Sequence, residues 1–364
     1  MGEIDLTDLA WENFVDNNYK DIDIEKKQTD TKNQIIPKPT EIYISTKTKI
    51  SYLNTEINLK KIFWKIPIID YQTFKQGVIK KQIKINCDNT KEVEELENKL
   101  SKEKMLTVDI ISQINNPNAR KTKFKDVRKI NIGLCKKDLI TLRSKKKGAF
   151  YNCFVLIQRL QWKGQFKEVH IKVFNTGKLE IPGIQEDDFL YLALDRLVQI
   201  LQPYIEKKLD YYKNKIDTVL INSNFSSRFF INRNKFYNIL KYKYNFHVMF
   251  DPCSYPGIRC KYYYNKNNDG ICMCEKMTKK KSKHKNRDHC KEVSFMIFRT
   301  GSILIVGNCT EYIINIIYKC LIKILKDEYN EIVLPGVVKN KIKKLKKCRK
   351  KFILVSQEPV GQFD

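Results

Sequence analysis

The sequence has little of what marks several well-known classes of protein. Its 364 residues contain no apolar run of the length that crosses a bilayer, and the opening segment MGEIDLTDLAWENF is acidic where a secretory signal would be apolar. The glycine-rich phosphate loops GxGxxG and GxxxxGK are absent, and the 4 histidines show no spacing that pairs a base with a nucleophile. We therefore expect a non-enzymatic, intracellular protein that does not enter membranes.

Positive charge is what the chain has in excess. It holds 69 Lys and Arg against 41 Asp and Glu, which gives a formal net charge of +28 at pH 7 and an isoelectric point near 9.5. A field of that sign attracts polyanions, and nucleic acid is the commonest of these. An AT-rich genome also enriches lysine, so the charge indicates a class of partner and says nothing about the fold.

The cysteines suggest a reducing compartment. There are 11 of them, an odd number, which favours free thiols in the cytosol or nucleus over a framework of disulfides. Four follow the spacing C-x11-C-x-C-x15-C, with His284 and His289 inside the last interval: Cys260, Cys272, Cys274 and Cys290. Such thiolates would suit a tetrahedral zinc site, although structural zinc sites usually contain closer C-x2-4-C pairs. Zinc binding and free thiols on a surface loop are both open interpretations, and the sequence indicates no other cofactor.

The most informative feature is a segment that occurs twice. FNTGKLEIPG at Phe174–Gly183 reappears as FRTGSILIVG at Phe298–Gly307, with Phe, Thr, Gly, Ile and Gly at matching positions. Each copy follows an alternating run typical of a strand and precedes an apolar helical run, at 186–204 and 310–326. Thr-Gly between two alternating runs predicts a tight hairpin, because glycine adopts the positive φ that such turns need. A hairpin-plus-helix unit used twice predicts internal pseudo-symmetry.

The other patterns predict strands and helices in a repeated order. Alternating residues predict strands at 41–53, 77–86, 150–160, 217–225 and 254–264, and helical spacing predicts helices at 58–66 and 234–244. In each half the strands run in succession and the helices lie near the two ends. That order is typical of an α+β fold, with helices packed on one face of an antiparallel sheet.

Composition divides the chain into four parts. We expect a disordered leader at 1–40, a first repeat at 41–205, a second repeat at 206–333 and a basic tail at 334–364. An insertion at about 87–147 interrupts the first repeat, and TKEVEELENKL and MLTVDIISQI within it predict two helices. An insertion rich in Cys and Lys, at about 265–291, interrupts the second repeat.

The repeated hairpin and the order of elements resemble those of the TATA-box-binding protein (TBP) family. In that family the hairpin reads Ile-Phe-x-Ser-Gly-Lys, followed by apolar residues and Thr-Gly; here the two copies read KVFNTGKLEIPG and MIFRTGSILIVG. The family's Phe-Pro-Gly-Leu segment corresponds to YPGI at 255–258. The resemblance covers about 41–86, 150–204 and 217–326, and KKKGAFYNCF and the Cys-containing insertion look like the divergent members found in large DNA viruses.

The resemblance implies a saddle of antiparallel strands made by two pseudo-symmetric repeats, with helices on the convex face. It implies that the concave face binds the minor groove of duplex DNA, where aromatic wedges unstack bases and bend the duplex. The partners would then be transcription factors or RNA polymerase, and the place of action the nucleus, the cytoplasmic factory of a virus, or the virion. The alternative is a protein-interaction scaffold, or a non-catalytic nucleic-acid recognition module, that has lost TATA specificity.

The resemblance also assigns roles to individual residues. The implied DNA-binding set comprises two wedges, their aromatic partners, groove-facing apolar residues and two polar contacts: Phe174, Phe298, Tyr255, Phe150, Leu304, Val306, Asn222 and Asn224. Phe154 is a second candidate partner for Phe174. Aromatic residues on strands often serve only packing, so a core position for both wedges is the competing interpretation.

The first repeat departs from the family pattern in ways that bear on DNA binding. Glu180 and Pro182 stand where groove-facing residues are expected, and a carboxylate in a DNA groove is repelled by the phosphates. At the family's Asn position on the first strand of each repeat, alignment gives Glu41 and Thr218. We therefore expect the second repeat to read DNA better than the first.

Overall fold

The computed structural model describes residues 36–140, 150–265, 270–272 and 290–334. In these residues, 12 strands form one antiparallel sheet and helices pack against it, so the predicted α+β class is confirmed. Most of the predicted leader, much of the Cys- and Lys-rich insertion and the tail after residue 334 lie outside the described residues. Of the helices in the described ranges, none is long and apolar enough to cross a membrane.

The strands and helices have the following bounds. The strands are β1 Tyr43–Tyr52, β2 Gly77–Cys87, β3 Leu106–Asn115, β4 Phe124–Gly133, β5 Cys153–Trp162, β6 Gln165–Phe174, β7 Lys178–Ile184, β8 Asp217–Ser226, β9 His247–Met249, β10 Ile258–Tyr264, β11 Lys291–Ile297 and β12 Ser302–Gly307. The helices are α1 Leu59–Lys65, α2 Thr90–Leu100, α3 Lys136–Ile140, α4 Asp187–Leu201, α5 Arg233–Asn238, α6 Glu311–Asp327 and α7 Tyr329–Ile332. A 3₁₀ turn, Gln202–Tyr204, extends α4, and a π-helical turn, Ile239–Lys243, extends α5.

The strand order in the sheet is β3-β4-β2-β5-β6-β7-β1-β8-β12-β11-β10-β9. β1 and β8 lie side by side, and outward from them the strands follow in reverse chain order on both sides, β7 to β2 in the first half and β12 to β9 in the second half. Apart from the elements between β2 and β5, each half runs strand, helix, four strands, helix along the chain. Those extra elements add β4 and β3 to one edge of the sheet only.

The two long helices, α4 and α6, lie on the same face of the sheet. Lys47 and Lys49 of β1 lie opposite Ile184 and Ile181 of β7, which are buried in the core, so both lysine side chains point to the core face. Lys47 Nζ lies 2.6 Å from a carboxylate oxygen of Glu311, the first residue of α6, and Lys49 Nζ lies 2.8 Å from one of Asp187, the first residue of α4. The central strand therefore contacts the N-terminal ends of both helices, where the helix dipole also favours a carboxylate.

Apolar side chains at alternate strand positions form a buried cluster under the helices of each half. In the first half, Phe63 of α1 and Phe154 of β5 are fully buried with ring centroids 6.2 Å apart. In the second half, Phe236 of α5 and Phe295 of β11 are fully buried in the cluster that α6 joins. Removal of these side chains from water is the main force that holds the helices to the sheet.

Steric constraints explain why each repeated hairpin has a glycine in its turn. Gly177 has φ 76° and Gly301 has φ 78°, in the left-handed region that residues with a Cβ rarely adopt. A Cβ at Gly177 would lie 2.5 Å from the carbonyl oxygen of Thr55, and one at Gly301 would lie 2.2 Å from that of Phe229. Both predicted hairpins are present, as β6–β7 and β11–β12.

The insertion between β2 and β5 corrects the sequence analysis. TKEVEELENKL is helix α2 as predicted, but MLTVDIISQI forms strand β3, and the basic run after it contains strand β4. The helix prediction followed apolar spacing, whereas pairing with β4, from Leu106 opposite Ile132 onward, fixes β3 as a strand. The charges of β4 concealed its strand pattern, because Arg128 is buried in an ion pair with Asp126, with Nε 2.8 Å from Oδ1.

Candidate nucleic-acid interface

The face of the sheet opposite α4 and α6 consists of the alternate strand residues that the two cores do not use, and we call it the open face. On β12, Ile303 and Ile305 are fully buried in the core, while Leu304 and Val306 point the other way and are partly exposed. The same alternation continues through β7, β8 and β11. These strands are therefore deeply buried on one side only.

Four of the predicted DNA-binding residues lie together near the centre of the open face. Asn222 and Asn224 of β8 are the cross-strand partners of Val306 and Leu304 of β12. Asn224 Nδ2 donates a hydrogen bond to Ser45 Oγ at 2.7 Å, whereas Asn222 Oδ1 accepts no hydrogen bond within the described part of the chain. This patch combines short apolar groups with amides and carries no formal charge.

β1 adds hydroxyl and aromatic groups to the same patch. Thr46 lies opposite Asn222, and Tyr43, which is 57% exposed, lies opposite Asn224. The expectation that Glu41 occupies this position is wrong, because Glu41 precedes β1 and has no partner in the ladder between β1 and β8. The pairing register, which shifts between Ile44 and Thr46, identifies Thr46 as the residue that meets Asn222. Alternation along the sequence alone does not show this, because Tyr43 and Thr46 are three residues apart.

The first half presents different residues at the matching positions. Glu180 and Pro182 of β7 lie on the open face, opposite Ile50 and Thr48 of β1. Glu180 Oε1 accepts a hydrogen bond from Lys172 Nζ on β6 at 2.5 Å. The carboxylate expected to repel DNA is therefore present, but a cation on the neighbouring strand offsets its charge.

An aromatic pair stands at the outer end of the second half. The rings of Tyr255 and Phe298 have centroids 5.8 Å apart and planes inclined at 60°. A Cβ at Gly257 would lie 3.0 Å from both rings, so the glycine of the YPGI segment leaves room for them. The guanidinium of Arg259 lies 5.6 Å from the centre of the Tyr255 ring, and Arg233 Nη1 donates to the Pro256 carbonyl at 2.5 Å. The structure thus brings together the two residues that the resemblance paired.

The outer end of the first half is built differently. Phe174 and Phe150 each lie near a lysine: Lys178 Nζ is 5.7 Å from the centre of the Phe174 ring, and Lys172 Nζ is 5.4 Å from that of Phe150. Phe150 is 60% exposed. Phe154, the second candidate partner for Phe174, is fully buried in the core against α1, so that alternative is wrong.

A raised structure covers the outer part of the open face in the first half, and we call it the wall. It consists of the loop at 69–76 and the segment at 135–140, which contains α3. Ile69 and Tyr71 pack on a small buried cluster of Ile79, Cys135 and Ile157. The wall therefore has an apolar base of its own, on the side of the sheet away from α4.

Polar contacts also fix the wall to the sheet. Arg159 of β5 donates hydrogen bonds to the carbonyls of Tyr71 at 2.8 Å and Thr73 at 2.7 Å, and its guanidinium lies 4.5 Å from the centre of the Tyr71 ring. Lys80 of β2 forms an ion pair with Asp138 at 2.8 Å. The sequence does not predict the wall, because YQTFKQG has no periodicity and its anchoring partners are far away in the chain.

The histidine beside the wall is neutral near pH 7. Burial, followed by the charges of Lys137 and Lys80, lowers the pKa of His170 on β6, while Asp138 acts weakly in the opposite direction. A neutral imidazole adds no positive charge to the open face at that pH, so the cations there are lysines and arginines.

The cysteine positions correct the predicted zinc site. Cys260 is buried in the second-half core, where desolvation raises the pKa of its thiol far above the usual range. Its cross-strand partner is Phe295, which lies five residues along the chain from Cys290, or about 17 Å on an extended strand. Sulfurs that share a zinc ion lie within roughly 4.6 Å of each other, so Cys260 and Cys290 cannot be ligands of one tetrahedral site.

The rest of the predicted zinc set gives no further support. Cys272 is half-buried, and Cys274, His284 and His289 lie outside the described residues. Over the ranges that the structure describes, no group of three or more His, Cys, Asp or Glu side chains is arranged to hold a metal ion.

Comparison with known proteins adds little to this geometry. No protein-family model and no curated protein matches the chain. Among solved structures, a TBP from Methanococcus jannaschii aligns with 79% of this chain and 99% of that chain, at 11% sequence identity and a TM-score of 0.37. A similarity at this level shows neither family membership nor function.

Cations also surround the open face, and none of the sequence motifs predicted their positions. Lys84 Nζ lies 3.7 Å from the centre of the exposed Tyr151 ring, and Lys261 forms an ion pair with Glu292 at 3.0 Å. Alternation within β2 and β10 could have located both lysines on this face, because Lys80 and Lys84 of β2, and Arg259 and Lys261 of β10, alternate with buried residues. The outer strands of the open face are therefore basic while its centre is uncharged.

Proposed function

We propose that this chain is a non-enzymatic transcription initiation factor that binds duplex DNA through the minor groove with the open face and bends it. The observation that carries the proposal is the distribution of chemistry on that face. An uncharged centre of Thr, Asn, Leu and Val is flanked at both outer ends by aromatic rings that stand beside cations.

This distribution suits the minor groove for physical reasons. The groove offers acceptors on base edges together with apolar sugar surface, so short hydroxyl, amide and aliphatic groups are complementary to it. Aromatic side chains at the ends can enter between base pairs and replace part of the stacking that a kink destroys. Phe298 with Tyr255, and Phe174 with Phe150, are the wedges in this proposal.

The order of elements supports the same proposal. Apart from the elements between β2 and β5, each half runs strand, helix, four strands, helix, and β1 and β8 lie side by side in the middle of the sheet. Two halves of the same order agree with the two pseudo-symmetric repeats that the sequence resemblance implies. On this basis we propose a TBP-like saddle of two repeats with helices on its convex face. The proposal extends to recruitment of transcription factors or RNA polymerase by the helices, where Tyr191 and Tyr312 are 38% and 67% exposed.

A viral origin, and action in a viral factory or the nucleus, belong to the proposal as well. They rest only on the resemblance of KKKGAFYNCF and the Cys-containing insertion to the divergent TBP-like proteins of large DNA viruses.

DNA bending tests the proposal directly. A duplex labelled with a fluorescent donor and acceptor at its two ends should show increased energy transfer when the full chain binds. Phe174→Ala combined with Phe298→Ala should remove this increase, and Phe298→Ala alone should weaken binding by about tenfold if the ring replaces base stacking. Tyr242→Ala is a matched control, because that tyrosine is 69% exposed and lies on the π-helical turn beside α5.

Two results would count against the proposal at different levels. Unchanged bending in the double variant, with native circular dichroism, would remove the wedge assignment. Duplex affinity that does not fall with salt would remove DNA binding itself, since each phosphate contact contributes about 0.9 to the slope of log affinity against log salt. That second result would favour a scaffold that has lost the DNA-binding role.

A further inference from the structure

A groove of about 930 Å³ lies between the wall, β6 and the start of α4. Its lining includes four aromatic side chains, Tyr71, Phe74, Phe166 and Phe189, and three lysines, Lys136, Lys137 and Lys167. Neither the wedges nor the uncharged centre of the open face belongs to it. A volume of this order is typical of sites that enclose a ligand of several hundred daltons.

Phe74 is exposed to solvent on a turn that neighbouring contacts hold in place. Its side chain is 87% exposed, and Phe166 across the groove is 41% exposed. The turn before Phe74 is anchored, because Arg159 binds the carbonyls of Tyr71 and Thr73, and the Thr73 amide donates to the Asp70 carbonyl at 3.1 Å. Large apolar groups exposed on an anchored turn indicate a contact surface, and flat rings suit the faces of nucleobases.

The charge of the groove is positive. The two carboxylates in its lining, Glu168 and Glu186, are already engaged: Glu168 accepts the backbone N–H of Lys136 at 3.0 Å, and Glu186 is ion-paired with Lys163, which lowers its pKa. The ammonium groups of Lys136 and Lys137 form no ion pair within the described residues. Cations beside exposed rings are the combination that binds a phosphodiester chain whose bases are unpaired.

We propose that this groove binds a single nucleic-acid strand, with bases stacked on Phe74 and Phe166 and phosphates on Lys136 and Lys137. This inference rests on the proposed function only for the route by which a nucleic-acid strand reaches the groove. Alternation along β6 puts Phe166 on the same side of this β-strand as Phe174, the proposed wedge. A DNA strand that separates from the duplex at Phe174 would therefore meet the groove. An acidic peptide would use the lysines but would leave the rings without flat partners, so we favour a nucleic-acid strand.

Fluorescence anisotropy of the full chain tests the proposal with two probes, a short labelled oligothymidylate and a labelled duplex. Phe74→Ala should weaken oligothymidylate binding about tenfold, as expected for the loss of one stacked base, and should leave duplex affinity within about twofold. Lys136→Gln with Lys137→Gln should reduce the salt slope for the oligothymidylate by about 1.4, because each single-strand phosphate contact contributes about 0.7. Phe166→Ala provides a second stacking variant should Phe74→Ala perturb the fold.

Matched control variants distinguish binding in the groove from non-specific binding elsewhere on the surface. Tyr242→Ala removes an exposed ring, and Lys61→Gln on α1 removes an exposed lysine, both outside the groove. An equal loss in a control, or no loss in Phe74→Ala and Phe166→Ala, would overturn the proposal. So would polyglutamate that displaces the probe as well as unlabelled oligothymidylate does, because the site would then recognise charge alone.

The two probes also separate this proposal from the proposed function. Duplex binding without Phe74-dependent oligothymidylate binding overturns the groove and leaves the duplex proposal standing. Oligothymidylate binding that depends on Phe74, without duplex binding, supports the groove and removes the duplex proposal. Parallel titrations with oligouridylate and oligodeoxyuridylate, which differ only in the 2′-hydroxyl, identify the preferred sugar, and either preference supports a single-strand site.

Discussion

The first and second halves of the sheet use the same elements in the same order, yet their outer ends differ. The second half ends in a ring pair, Tyr255 and Phe298, set over Gly257. The first half ends in Phe174 and Phe150, each beside a lysine, and carries the wall in addition. Backbone geometry is therefore repeated where sterics require it, whereas the chemistry of the open face differs between the halves.

The largest effect should come from the hairpin glycines, where the halves are alike. Gly301→Ala places an alanine in the left-handed backbone region and puts its Cβ 2.2 Å from a carbonyl oxygen. Gly177→Ala has the same two effects, with the Cβ 2.5 Å from a carbonyl oxygen. We expect each to lower the free energy of unfolding by about 2–4 kcal/mol, as measured by urea denaturation.

Gly164→Ala is the matched control for both. Gly164 has φ 76°, but nothing lies within 4 Å of the position that a Cβ would take there, so only the conformational cost of about 1–2 kcal/mol should remain. If Gly301→Ala were no worse than this control, the steric account of the repeated hairpin would be wrong.

A smaller effect should follow from the carboxylate that sets the first half apart. Glu180→Gln removes the partner of Lys172 and leaves that cation available to phosphate. We expect duplex affinity to rise about threefold and the salt slope to increase by at most about 0.9, the value for one added phosphate contact. Glu206→Gln, at an exposed position between the two halves, should change neither quantity. Weaker binding by Glu180→Gln would mean that this carboxylate helps to bind DNA.

The smallest effect concerns pH and is confined to the first half. The pKa of His170 is lowered in the folded chain, so between its folded value and its usual value of about 6.5 the unfolded chain binds more protons. Stability should therefore fall as pH drops through and below 6.5, and His170→Gln should flatten this part of the curve. Thermal melts from pH 7 to pH 5 measure it, with His247→Gln, an exposed histidine on β9, as control. Identical curves for His170→Gln and the unchanged chain would contradict the assignment.

Local patterns predicted most elements of the two halves. The hairpins and α4 and α6 follow from Thr-Gly and apolar periodicity, which act over a few residues, and β1 and β8 follow from alternation. Periodicity failed at β3, whose apolar residues fit both a helix and a strand, because only pairing with β4 decides between them. Periodicity also failed at β4, because charged residues such as Arg128 and Asp126 are usually exposed, whereas here they are buried as an ion pair.

The candidate site was predictable in part. Leu304, Val306, Asn222 and Asn224, which were predicted to contact DNA, lie together on one face, where strand alternation and the hairpin repeat locate them. Their contact with DNA stays a prediction. The wall was not predictable, because its loop is placed by Arg159, far along the chain, and carries no pattern of its own. Cys260 was a candidate zinc ligand on spacing alone, with a free thiol as the alternative, and spacing does not reveal that its side chain points into the core.

The position of β1 has a consequence for how the chain folds. β1 is the first strand of the described residues, but its neighbours are β7 and β8, and Tyr43 pairs with Asn224. During synthesis β1 therefore emerges long before either neighbour exists, and the middle of the sheet closes only when more than half of the chain has left the ribosome. Pairing across such a separation carries a large loop-closure entropy and makes folding slow. In the interval, β1 exposes two unpaired edges, so aggregation of nascent chains should compete with completion of the sheet.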